Sequence, residues 1–290
     1  MNNIYLFIVN KKYTNLGKVA ISSLLKTKPK YKILVYTEES LNLEWIEERI
    51  FDSTTCVTGH AGFNDFCNIV SYRIDLLDKL KYEYDNICIL DVDTLFLRNM
   101  DPIFDYKGIA GVNSYDKHSQ YVKHLKVEHI HPNIKNDHIY LNVGSCKLDC
   151  KLLRKYNLLQ EFKKDLSARE ELYTTVKCPE QDFINYLFHN DITCIPDEYN
   201  NLLLPGCSAK DIPRMIHFVG KAAKPWNITA EELFTGISGY YYTYLRYLKS
   251  LKDIDTSFCL DHLENELKKY EGFIRQIRIN SNVISNYNYQ

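Results

Sequence analysis

The chain has no excess of either charge: 36 Lys and Arg stand against 37 Asp and Glu, for a net of −1. A protein without a basic field has nothing to hold a phosphate backbone, so nucleic acid is excluded as a partner. No apolar run approaches the ~18 residues that cross a bilayer, so no transmembrane segment is expected. Residues 4–9 are apolar, but that run is too short for a signal-peptide core and no basic region precedes it. The expectation is a soluble, cytoplasmic protein. C-x-x-C pairs are absent, and the nine cysteines are odd in number. Reduced thiols in apolar surroundings, Cys88 and Cys194 among them, are therefore expected over disulfides. Internal repeats and dividing linkers are missing as well. At 290 residues the chain is long enough to bury a full α/β core.

What is present is organised around Asn86-Ile87-Cys88-Ile89-Leu90-Asp91-Val92-Asp93-Thr94-Leu95-Phe96. The apolar run 87–90 reads as a strand buried on both faces. Ligands of open α/β sheets bind at the carboxyl ends of strands, which is where Asp91 and Asp93 stand. Asp-x-Asp offers hard oxygens to a divalent cation that would carry phosphate oxygens. In a regular strand the two side chains point to opposite faces, so they converge only if the chain bends there. Phosphatases of the haloacid dehalogenase type also place Asp-x-Asp after an apolar strand. They use their first strand and want Thr or Val at the fifth motif position, which here is Leu95.

The opening reads β-α-β-α: a strand over 4–9, a helix with Leu16, Val19, Ala20 and Leu24 inward, a strand over 33–36 and a helix over 41–50. An amphipathic helix over 71–81 turns Ile74, Leu77 and Leu80 inward, and Arg73 in its first turn reads as solvated. A strand is expected over 108–112, then a polar, His-rich loop over 113–138 that lacks any recognised zinc spacing. Residues 140–145 read as a strand edge, 152–162 as a helix, and Pro179 as the first position of another. Glu180, Gln181 and Asp182 fall in that helix's first turn, where acidic groups usually complement the dipole. The segment 215–220 ends a strand at His217 and Gly220, and Lys224-Pro225-Trp226 follow. Residues 240–251 and 257–270 read as helices, and the last dozen as frayed.

Asp91-x-Asp93, Glu180-Gln181-Asp182 and His217-x-x-Gly220 with Lys224-Pro225-Trp226 form an ordered set. It is joined by Asn10 and Tyr13 after the first strand, Tyr72-Arg73, Leu141-Asn142-Val143-Gly144 and Tyr199-Asn200. Over roughly residues 4–250 this resembles glycosyltransferase family 8, the group of glycogenin and the bacterial lipopolysaccharide galactosyl- and glucosyltransferases. The resemblance implies a GT-A (Rossmann-like) α/β fold, a mixed sheet flanked by helices in a single domain over 1–250. A C-terminal helix and flexible tail, 251–290, would pack on it or extend from it. It also implies retaining transfer of a hexose from UDP-glucose or UDP-galactose to a glycan acceptor. Asp91, Asp93 and His217 would match the metal ligands, with Mn²⁺ preferred and Mg²⁺ the poorer substitute. Val9, Asn10 and Tyr13 would match the uridine pocket, and Arg73, Val92 and Asn142 nucleotide and donor-sugar contacts. Gly220 and Lys224 would match the diphosphate clamp. Gln181 would lie beneath the anomeric carbon, with Asp182 in reserve. The oligomeric state stays open, a homodimer included.

The chain departs from the family pattern at Glu180, where Asp is usual, and at Lys221-Ala222-Ala223, which puts one extra residue before Lys224. It also has no Tyr between Asn200 and His217, where glycogenin carries its acceptor tyrosine, so self-glucosylation is not expected. Two rivals to an active transferase are the phosphatase already named and an inactive nucleotide-sugar-binding homologue.

Overall fold

The computed structural model describes residues 1–52, 65–114, 139–168, 179–203, 212–221 and 223–287. Most of the His-rich loop, and the stretch after Leu203, lie outside them. The elements are β1 (Asn3–Val9), α1 (Thr14–Lys26), β2 (Lys32–Thr37), β3 (Glu47–Ile50), α2 (Asp65–Leu80), β4 (Asn86–Leu90), β5 (Thr94–Phe96), β6 (Ile109–Asn113) and β7 (Leu141–Asp149). They continue with α3 (Cys150–Leu153), α4 (Leu158–Ala168), α5 (Pro179–Leu187), β8 (Ile192–Cys194), β9 (Asn201–Leu202), β10 (Met215–His217), α6 (Ser238–Ser250) and α7 (Leu260–Tyr287).

Seven strands form a mixed sheet in the order β3-β2-β1-β4-β7-β6-β8. β3, β2, β1 and β4 run parallel, β7 is antiparallel to both β4 and β6, and β8 is parallel to β6. The strand run of β1 alternates between two cores. Ile4 and Leu6 face α2, α4 and α5, with Ile74, Leu77, Phe162 and Phe183. Tyr5, Phe7 and Val9 face α1, with Ala20, Ile21 and Leu24. Each such large side chain withdrawn from water is worth ~1.5–3 kcal/mol, and both faces of β1 and β4 are used in this way. That is why their sequences are nearly unbroken apolar runs.

β2 lies on one side of β1 and β4 on the other. The chain order therefore reverses at β1, and the crevice outside the carboxyl ends of β1 and β4 is the topological switch point. Gly17 lets α1 press against the end of β1 there, since a Cβ on it would come within 2.7 Å of Val9 Cγ1.

Cα packing divides the chain into two compact units, residues 1–201 with 213–215, and residues 202–212 with 216–290. The division cuts through β9 and β10 rather than through a linker, consistent with a single domain. Within the second unit, Phe218 packs its ring on Tyr241 and Tyr244 of α6, and Trp226 packs on Phe258. No described helix is long and apolar enough to cross a membrane.

Several expectations need correction. Residues 41–50 are not helical. Asn42 and Trp45 take positive φ (53° and 67°), and β3 follows as a sheet-edge strand. Its charges are neutralised in place: Glu47 by Lys32 and Arg49, and Arg49 also by Glu83. Such charges are what an edge strand carries to discourage further pairing. The helix expected over 152–162 is two helices. Asp149 caps α3 and the Asn157 side chain accepts from Gln160 N to start α4. The strand read as an edge at 140–145 is β7, in the sheet interior between β4 and β6. Cys88 is buried as expected, but Cys194 is exposed. α7 continues to Tyr287 through the residues read as frayed.

Candidate active site

The two aspartates converge because β4 ends at Leu90. The Asp91 N–H donates to the Gly144 carbonyl at 2.8 Å, the last bond to β7. The chain then bends through residues 91–93, and the Thr94 hydroxyl closes the turn on the Asp91 carbonyl at 2.7 Å. The bend removes the opposition of faces that a strand would impose. Asp91, Asp93 and His217 each offer one ligand atom, and these atoms lie within 4.8 Å of one another. His217, at the end of β10, is 3% exposed. Two carboxylates and one imidazole are a donor set that a divalent cation could occupy.

Arg73 is the largest departure from the sequence reading. α2 begins at Asp65, so Arg73 sits mid-helix on the buried face and is 8% exposed. Its Nη2 lies 2.5 Å from Asp91 Oδ1, and its Nη1 lies 3.6 Å from Glu180 Oε1. Glu180 is 3% exposed, so it is more than a dipole partner at the start of α5. Burial pushes its carboxyl up to about 6, and Arg73 only partly opposes the shift. The nearby Asp91 carboxylate adds to the rise.

On the neighbouring strand, Asn142 accepts from Asn200 Nδ2 at 2.9 Å and from Gly144 N at 3.1 Å. Asn200 is fully buried. The expected residues Asn142 and Asn200 are thus one hydrogen-bonded pair. Gln181 Oε1 accepts from Val143 N at 3.0 Å, and its Nε2 donates to the Tyr140 hydroxyl at 3.1 Å. Tyr140 donates a short hydrogen bond to Asp182 Oδ1, and Asp182 is 1% exposed. Tyr140 and Asn185 were not anticipated as site residues. Their signals were proximity alone: Tyr140 directly precedes Leu141-Asn142-Val143-Gly144, and Asn185 lies one helical turn after Gln181.

At the end of β1, Asn10 caps the turn Lys11–Tyr13, its side chain accepting from Tyr13 N at 3.1 Å. Val9 is buried, and Val92 packs half-buried against the α1 side of the sheet. In the second unit, Gly220 takes φ +73°, a left-handed backbone that a side chain disfavours. The Lys224 ammonium lies 6.0 Å from the Trp226 ring centroid, and the Lys224 carbonyl accepts from Asn227 N and Ile228 N.

No curated protein sequence matches the chain. Solved structures do. The galactosyltransferase LgtC, in complex with donor and acceptor sugar analogues, superposes at TM-score 0.63 with 14% identity, over 88% of this chain and 98% of that one. GlyE of Streptococcus pneumoniae TIGR4 gives 0.54 with 14% identity, over 83% and 63%. Mouse xyloside xylosyltransferase 1 gives 0.52 with 14% identity, over 78% and 99%. At such identities the likeness is one of fold, and it is the GT-A fold expected. The family model of Glycosyl transferase family 8 matches residues 5–230, and with more than half of the chain matched, this protein belongs to that family and is a glycosyltransferase.

Proposed function

We propose that the protein moves a hexose from UDP-glucose or UDP-galactose to a glycan acceptor, with Mn²⁺ as cofactor and retention at the anomeric carbon. The observation that carries this is the Asp91–Asp93–His217 cluster at the carboxyl end of β4, in a chain of this family. When bound there, the cation supplies charge stabilisation for the departing diphosphate. Asp91, Asp93 and His217 would hold it. Val9, Asn10 and Tyr13, beside the switch point, suit the uridine. Arg73, Val92 and Asn142 suit the nucleotide and donor sugar, and Gly220 with Lys224 the diphosphate. A lysine facing a leaving group whose charge grows as the bond breaks lowers the barrier without giving up a proton.

Gln181 is the residue assigned to the anomeric carbon, with Asp182 in reserve. An amide is a feeble nucleophile, so transfer within one face, the leaving phosphate assisting the acceptor hydroxyl, is favoured over double displacement. Asp91 as the nucleophile of a phosphatase is disfavoured, because β4 is not the first strand of the chain and Leu95 stands at the fifth motif position.

UDP-glucose and UDP-galactose are incubated with the full chain and Mn²⁺, and UDP release is followed with and without excess EDTA. Release should need the metal, and Asp93→Ala should remove most of it. NMR of the first-formed sugar product should show the α-anomer. Full turnover in EDTA would overturn the metal assignment, and a β-anomer the retaining one.

A further inference from the structure

We infer that Tyr140 is the positioning residue that fixes which way the Gln181 side-chain amide faces. This rests on the assignment of Gln181 to the anomeric carbon and adds what holds it there. Tyr140 directly precedes β7 and is 7% exposed. Its hydroxyl has one hydrogen, which goes to the buried carboxylate of Asp182. Only lone pairs then remain for Gln181, so Gln181 must offer its NH₂ to the phenol, as the 3.1 Å contact shows.

The other end of the amide is fixed by the same logic. Gln181 Oε1 takes the Val143 N–H at 3.0 Å, and a backbone N–H can only donate. Turning the amide over would set oxygen against the phenol lone pairs and NH₂ against that N–H, losing both bonds at once. The two ends of the clamp cannot drift apart, because Asn185 ties the helix to the strand. It accepts from Leu141 N at 2.7 Å and donates to the Leu141 and Gln181 carbonyls at 2.9 Å. A chain of directed bonds therefore runs from Asp182 through Tyr140 and Gln181 to β7. It leaves Gln181 as a fixed dipole with one lone pair of Oε1 already used, a poor arrangement for covalent attack and a good one for facing positive charge on the sugar.

The test has one readout that needs no catalysis and one that does. In the metal-free full chain with ¹⁵N-labelled glutamine, the Gln181 side-chain amide should give a dispersed, slowly exchanging NH₂ signal. Tyr140→Phe should shift that signal and speed its exchange, since the bond to the phenol is lost while the bond to Val143 N remains. An unmoved signal overturns the inference, whatever Gln181 does in the reaction. With UDP-glucose, Mn²⁺ and water as acceptor, Tyr140→Phe should lower kcat about 10- to 100-fold, with donor KM and UDP binding held. Tyr140→Phe/Gln181→Ala should be no slower than Gln181→Ala alone. If Gln181→Ala is slow and Tyr140→Phe is not, or if the two losses multiply, the inference fails. If Gln181→Ala is itself at full rate, the assignment of Gln181 fails while the amide signal still decides what Tyr140 does. Should Tyr140→Phe not fold, Asp182→Asn replaces it. An asparagine can donate to the phenol and release its hydrogen toward Gln181, so the amide signal should again shift. An unmoved signal in that variant overturns the inference equally.

Discussion

The ion pairs of Arg73 give the sharpest quantitative expectation. Arg73→Met keeps much of the apolar stem and deletes the guanidinium. Asp91 loses a partner at 2.5 Å, but its side chain is 28% exposed and water can replace much of that interaction. Glu180 has no such recourse, with its side chain 4% exposed and Arg73 at 3.6 Å the cation paired with it. The cost therefore falls at Glu180, and breaking a buried ion pair from one side costs about 3–5 kcal/mol. The same group sets a pH dependence. Burial raises the Glu180 carboxyl from its ordinary 4.5 to about 6 in the folded protein. The folded state thus holds the proton more tightly than the unfolded state does. The stability Glu180 contributes is fully present below pH 4.5 and is lost as pH rises through about 6, a loss of about 2 kcal/mol. Without Arg73 the folded value moves higher still, so the variant should lose stability more steeply and over a wider range.

Urea unfolding of the wild type and Arg73→Met would be followed from about pH 5 to 8. Chelator is present throughout, so that metal bound at the aspartates adds nothing by mass action. Arg73→Met should be about 3–4 kcal/mol less stable near neutral pH, and the gap should shrink by about 2 kcal/mol at the acid end as Glu180 takes a proton. Adding Glu180→Gln should flatten the pH dependence and recover about 2 kcal/mol, since the two sites couple. A variant within about 1 kcal/mol of wild type at every pH, the usual worth of a surface pair, would refute the reasoning. So would a loss that Glu180→Gln does not relieve.

Lys224→Ala should lower kcat about 100-fold with a smaller effect on donor binding, as expected for a charge met mainly in the transition state. If Lys221→Ala is crippled and Lys224→Ala is normal, the clamp has slipped by the loop's extra residue. Gly17→Ala should cost about 1–3 kcal/mol and weaken UDP binding, because its Cβ meets the Val9 side chain at 2.7 Å; unchanged melting and binding would show that α1 moves aside freely. Intact mass after incubation with UDP-glucose and Mn²⁺ should stay unchanged, and a ladder of hexose additions lost on changing Tyr287 and Tyr289 to Phe would show that the chain does prime itself.

The parallel half of the sheet was legible because its strands are buried on both faces. Residues 4–9, 33–36 and 87–90 are apolar runs that leave little else to predict. β5, β8 and β9 were not legible, being two or three residues long and without a period of their own. β3 was misread because its charges answer to partners distant in the chain, Lys32 and Glu83, which no local pattern displays. The same holds for the site. The trio Asp91, Asp93 and His217 was legible only through the resemblance to the family, whose ordered motifs they match, and the three do lie together. Arg73 could not be told from a solvated arginine, because burial depends on where a helix starts. The start at Asp65 puts Arg73 mid-helix rather than in the first turn. Tyr140 and Asn185 are bound to their partners by directed hydrogen bonds across 41 to 44 residues of chain, which spacing does not encode.

The segment that carries Lys224 is held from both sides among the described residues. The extra residue before Lys224 would be slack if nothing fixed its ends, and a lysine on slack chain would lose much of its electrostatic value to entropy. The structure gives it fixed ends. Gly220 turns the chain at φ +73°, a position where a Cβ would meet nothing within 4 Å, so the glycine serves backbone conformation and not packing. Three residues on, the Ala223 carbonyl accepts from the buried hydroxyl of Tyr241 in α6 at 2.7 Å. The Lys224 carbonyl then closes the turn on two N–H groups, and His262 and Glu266 of α7 hold Ile228 and Ala230. The segment is therefore pinned by α6 and α7 on its C-terminal side and by a left-handed glycine on the other. The C-terminal helices thus scaffold the segment 223–230. Truncation before α7 should accordingly disturb the Lys224 turn even though no residue of α7 belongs to the motif itself.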